Sequence, residues 1–130
     1  MRTARTLLRK RFPTAVELVY DNYNALALGW GPTERASDVI VSVVAYANGV
    51  SLYFTHGATL PDPEGLLEGS GIQGRFIRIH DPKVLESRAV KALLRAAVEQ
   101  ASAPLPRTGK TYTVIKSISP NQRPRRVPRI

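Results

Sequence analysis

The chain of 130 residues contains no cysteine. Disulfides, thiolate metal sites and cysteine nucleophiles are therefore excluded, and the cytoplasm is the default compartment. Histidine is nearly as scarce. His56 and His80 are the only two, and a metal site normally wants three or four ligands. No apolar run approaches the roughly 18–20 residues that span a bilayer. There is no G-x-S-x-G, so nothing resembles a nucleophile elbow, and Ser70 has no evident base partner. Acidic residues are missing from both ends. Residues 1–12 carry Arg2, Arg5, Arg9, Lys10 and Arg11, and residues 104–130 carry Arg107, Lys110, Lys116, Arg123, Arg125, Arg126 and Arg129, with no acid in either stretch. The formal net charge of +9 thus resides in the ends, and the middle is mildly acidic.

What is present reads as a folded domain. The hydrophobic fraction of 43% and charged fraction of 22% are ordinary for a soluble globular chain. The length suits one hydrophobic core. The opening MRTARTLLRKRF is Arg-rich and acid-free, as transit peptides are, but it lacks the apolar stretch of about 7–15 residues of a secretory signal. Met1, Ala4, Leu7, Leu8 and Phe12 fall at helical spacing opposite Arg2, Arg5 and Arg9, which predicts a short amphipathic helix ended by Pro13.

Val16, Leu18 and Tyr20 alternate with Glu17, Val19 and Asp21, a strand period. Ala25–Leu28 is expected to return as a second strand, and Gly29–Ser37 to be a loop. Val39–Ala47 and Val50–Thr55 form a hairpin about Asn48-Gly49, residues that tolerate the positive φ of a type I′ turn. Residues 56–74 read as a long Gly/Pro-rich loop with one helical turn at Glu64–Leu67. Arg75–His80 alternates again. Asp81-Pro82 reads as a helix N-cap with proline at the first position. Val90, Leu93, Leu94, Ala97, Val98 and Ala101 make an i, i+3, i+4 stripe, and Thr111–Ile118 reads as a last strand. The expectation is an α+β fold, with a mainly antiparallel sheet of about five or six strands and an N-terminal and a C-terminal helix packed on it. Residues 1–118 form the domain, and 119–130 form a basic Pro/Arg-rich tail with too few apolar groups to fold alone.

Two phosphate-loop patterns fail on context. Gly69-Ser70-Gly71-Ile72-Gln73-Gly74 spells G-x-G-x-x-G, but a loop precedes it and a strand follows, where a dinucleotide fingerprint needs strand then helix. Gly109-Lys110-Thr111 ends like a P-loop, but Pro104 stands where the first glycine belongs.

The segment Ser42–Ala101 resembles the YdhG-like family, a bacterial domain family of largely unassigned function. The resemblance is carried by "LYFTHGATL", then "PDPEGLLEGSG", then "RFIRIH" and a Leu/Ala-rich helix, with "FPTAVELVYDNYNAL" also similar. It implies a compact α+β fold with an antiparallel sheet. One member is described as a frataxin-like iron chaperone, which implies an acidic ridge on the first helix. The first helix here is basic.

These readings give a leading expectation and two alternatives. The leading one is a non-enzymatic domain that binds a small ligand or a protein through residues 53–75, with Tyr53, His56, Asp62, Glu68 and Arg75 converging where the loop closes over the sheet. No catalytic residue, cofactor or metal-ligand set is assigned, although His56 with Asp62, Glu64 or Glu68 could supply a carboxylate–histidine group. The first alternative is a nucleic-acid-associated protein using its basic ends, including Arg123, Arg125, Arg126 and Arg129, through phosphate contacts. The second, resting on the resemblance alone, is an iron-chaperone-like protein. The oligomeric state is left open.

Overall fold

The computed structural model describes residues 1–22, 25–47 and 49–118, the last two by backbone alone. Tail residues Arg123, Arg125, Arg126 and Arg129 lie outside the described residues. Helix α1 (Arg2–Arg11) leads into strands β1 (Val16–Asp21), β2 (Ala25–Gly31), β3 (Val41–Tyr46), β4 (Gly49–Phe54) and β5 (Arg75–Arg78); helix α2 (Arg88–Gln100) and strand β6 (Tyr112–Ile118) follow. The six strands form one sheet in the order β5-β4-β3-β2-β1-β6. Neighbours from β1 to β5 pair antiparallel, and β6 crosses back to lie parallel to β1. The fold is α+β with a mostly antiparallel sheet. No helix among the described residues is long and apolar enough to cross a membrane.

Both helices serve one core. On α1, Ala4 and Leu8 are buried, with Met1 and Phe12 at its two ends. A helix of ten residues is marginal by itself in water, so this packing is what makes it form. Pro13 follows its end, where Phe12 leaves helical geometry at φ −121°. The lack of acid costs α1 little, since its Arg9, Lys10 and Arg11 sit at the C-terminal turn where the helix dipole favours cations. On α2, the apolar stripe buries Val90, Leu93, Leu94 and Ala97. These side chains meet one phase of the strands: Leu26, Leu28 and Trp30 of β2, Val41, Val43 and Ala45 of β3, Leu52 and Phe54 of β4, and Ile77 of β5.

Glu17 shares that face and is fully buried. Arg5 donates to it from Nε at 2.9 Å and from a terminal nitrogen at 2.6 Å. Thr113 Oγ1 donates at 2.8 Å from β6, and Arg9 stands 3.8 Å away. One carboxylate thus joins α1, β1 and β6. Burial works against its charge, but the bonds from Arg5 and Thr113 and the positive charge of Arg5 and Arg9 outweigh it and hold Glu17 below the ordinary glutamate range.

The opposite face is treated differently along its width. Residues 32–39 fold over the β1–β2 side, where Val39 packs with Val16 and Leu18. Gly29 and Gly31 allow this approach. A Cβ at 29 would touch Val39 Cγ1 at 3.0 Å, and one at 31 would meet the Asp38 carbonyl oxygen at 2.7 Å. Among the described residues, the 32–39 segment does not reach over the β3–β5 side.

Several elements differ from the sequence reading. β2 continues through Gly29–Gly31 instead of ending at Leu28, because those glycines are the floor for Val39 and Asp38. Gly49 pairs with Tyr46 and, at φ +151°, is the first residue of β4 rather than part of the turn. Asn48 lies outside the described residues. Glu64–Leu67 forms no helical turn: both carboxylate oxygens of Asp62 accept backbone N–H groups, from Leu66 and Leu67, at 2.9 Å, a local alternative to helix. Asp81-Pro82 does begin a helical segment, with Asp81 accepting from Lys83, but it is a 3-10 turn over Pro82–Glu86. The Ser87 hydroxyl then caps α2 by accepting from Val90.

Two outcomes follow. Gly31→Ala should destabilise the domain by about 1–3 kcal/mol, since its methyl meets backbone that must move; Gly71→Ala, with open space around it, should change little. Chemical denaturation of the two variants checks this. Separately, Glu17 is depressed in the folded state, so its contribution is complete above the ordinary glutamate pKa and is lost as pH falls through the lower folded value. Thermal melts between about pH 7 and about pH 3 should show a steeper acid loss for the wild type than for Glu17→Gln.

Candidate functional site

On the uncovered face, strand pairing fixes which side chains are neighbours. Gly29, Ser42, Tyr53 and Phe76 form one row across β2–β5, and Glu68 extends it by an isolated bridge to Phe76. The next row holds Ala27, Val44, Ser51 and Arg78. Tyr46 lies on the same face, opposite Gly49. The result is a floor of small residues with aromatic rings rising from it. Tyr46 is 45% and Tyr53 37% exposed. Val44, Tyr46, Ser51, Tyr53, Phe76 and Arg78 line an open groove of about 330 Å³. The Arg78 guanidinium carbon lies 5.9 Å from the Phe76 ring centroid, within cation–π range.

The glycine-rich segment forms the rim. A Cβ at Gly74 would overlap the Tyr53 ring and hydroxyl, and one at Gly69 would lie 3.6 Å from the Phe76 ring. Gly69 also has φ +118°, a conformation that glycine adopts without the usual penalty. These two glycines let the segment backbone approach the Tyr53 hydroxyl end and the Phe76 ring closely. Arg75 fastens the rim by donating to the Gly71 carbonyl at 2.7 Å and to that of Gly74 at 2.6 Å. The Gln73 carbonyl accepts from Ala58 N–H at 2.8 Å.

The five residues singled out in 53–75 are thus divided. Tyr53 stands in the groove, Glu68 is exposed at its edge, and Arg75 shapes its rim. His56 lies beyond the rim, in a separate hollow with Thr59, Gln73 and Gln100, and its carbonyl accepts from Gln100 Nε2 at 2.9 Å. Asp62 is occupied by its two backbone bonds and borders a further, more apolar groove between Pro61, Pro63 and Leu66 and the Ala92–Leu93 side of α2. Among the described residues, no three His, Asp or Glu side chains are grouped to hold a metal ion, so His56 does not assemble a set with Asp62, Glu64 or Glu68. The basic front end is partly spent inside the fold, because Arg5 and Arg9 face Glu17.

Tyr46, Phe76 and Arg78 escaped the sequence reading. Their signal is phase: in β3 and β4 the buried Val41, Val43, Ala45, Leu52 and Phe54 keep one strand period, and Tyr46 and Tyr53 keep the other. Compared with family models, with curated proteins and with solved structures, the chain matches none.

Gly74→Ala should displace the Tyr53 ring, because the methyl and the ring claim the same space, while the rest of the fold stays. Tyrosine near-ultraviolet circular dichroism should change, with the far-ultraviolet spectrum preserved.

Proposed function

We propose that this chain is a non-enzymatic binding module whose working surface is the β3–β5 side of the uncovered face together with the Gly69–Gly74 rim. The observation that carries the reading is the set Tyr46, Tyr53, Phe76 and Arg78 standing on a part of the sheet that neither helix nor the 32–39 segment covers. The chemistry on offer is ring faces, hydroxyls and one guanidinium, which suits stacking and hydrogen bonding to a flat ligand. A rim already fastened by Arg75 lowers the ordering cost of binding. The surface belongs to the 53–75 region and its strand neighbours. Membership of the YdhG-like family and a cytoplasmic setting are part of the same proposal, supported by the residues of the resemblance and by the absence of cysteine.

Saturation-transfer NMR with flat heteroaromatic probes, adenosine and tryptophan, tests the reading. Wild-type protein should transfer magnetisation to them, and the Tyr46→Ser/Tyr53→Ser double variant should transfer severalfold less. Equal transfer from both proteins, or none from the wild type, overturns it.

A further inference from the structure

Building on that reading, we infer that the occupant of the uncovered face is single-stranded nucleic acid, held by base stacking on Tyr53, Phe76 and Tyr46, with Arg78 supplying a cationic contact. Three observations argue for this partner over a neutral or cationic one.

The first is charge. Arg78 stands on this face, and no strand residue on its described part is acidic. The sheet's carboxylates are elsewhere: Glu17 faces the helices, and Asp21 shares its phase. Of the acids near the face, Asp38 accepts from Thr33 at 2.7 Å and Glu34 from the Tyr112 hydroxyl at 3.1 Å. Glu68 remains at the edge beside Phe76.

The second is spacing. Tyr53 and Phe76 are directly opposed, so their rings form one station. Tyr46 is opposite Gly49, four residues along β4 from Tyr53, which places it about 14 Å away at the strand rise. That distance corresponds to about four nucleotides at the stacked spacing of a single strand, within the range of site sizes that sheet-based single-strand binders use. Each ring can therefore meet a base of the same short strand. Duplex DNA has no splayed bases to offer these rings.

The third is the floor between the stations. Ser51 and Val44 line the groove between the rings, and the Ser51 hydroxyl can hydrogen-bond without selecting a sequence. Recognition by stacking is tolerant of sequence because every base has a π-face.

The test is fluorescence anisotropy with full-length protein and a labelled oligothymidylate of roughly 16 nucleotides, at about 50 mM and about 200 mM salt. Wild type should bind the single strand and bind it better than a duplex of equal length. Tyr53→Ala and Tyr46→Ala should each weaken binding about fivefold or more at both salts, and Tyr53→Phe should keep it. Arg78→Ala should weaken binding and flatten its salt dependence, while Glu68→Ala should strengthen it. Circular dichroism confirms that each variant is folded.

If adenosine and tryptophan reach the face but the oligonucleotide does not bind, the nucleic-acid assignment falls and the binding surface stands. If the oligonucleotide binds equally to wild type and Tyr46→Ala/Tyr53→Ala and only removal of residues 119–130 abolishes it, the basic tail is the binder and the inference is overturned. It is also overturned if sedimentation shows a dimer that the tyrosine variants dissociate and no oligonucleotide binding.

Discussion

A sheet of six strands has two faces, and the helices of this chain cover one. Everything proposed for the protein depends on that asymmetry. On the helix side, the aliphatic phase of β2–β5 meets Ala4, Leu8, Leu93 and Leu94 in a continuous core. Full removal of each leucine side chain from water is worth about 1.5–3 kcal/mol, so the sheet is held from that side. The opposite face meets neither helix. Close to β1 it is shielded by Val39 over glycines. Across β3–β5 it presents tyrosines, a phenylalanine and an arginine.

The Glu17 cluster explains how the asymmetry is maintained at the sheet's far edge. β6 arrives after a long crossover and must be fixed beside β1 in parallel. Glu17 binds α1 above and Thr113 across. A fully buried carboxylate survives only when paired and hydrogen-bonded, and here both conditions are met by groups from three elements. The same contacts commit Arg5 and Arg9 to the fold. The basic front end is therefore less available to an anionic partner than its composition suggests.

Much of the architecture was legible in the residues. The α2 stripe, the β3–β4 alternation and the short first helix each express one unambiguous period, and their packing followed. What was not legible depended on contacts from outside the segment. Gly29 and Gly31 read as loop because nothing local reveals that Val39 and Asp38 will rest on them. Gly49 reads as a turn residue by type, yet strand pairing places it in β4 opposite Tyr46. Asp62 and Arg75 looked like ligand groups by type, yet both are engaged by nearby backbone. Tyr53 is singled out by the sequence, whereas Phe76 and Tyr46, which the sheet places on the same face, are not. Their meaning lies in register across strands, and register appears only when the sheet is assembled.

The most direct measurement is an amide chemical-shift map of the full-length protein titrated with a flat ring ligand such as adenosine. The account predicts that the shifts fall on Ser42–Tyr46, Ser51–Tyr53, Phe76–Arg78 and the Gly69–Gly74 rim, with α1 and α2 unmoved. Shifts concentrated instead on the Pro61–Leu66 segment and α2, with the aromatic face silent, would contradict it.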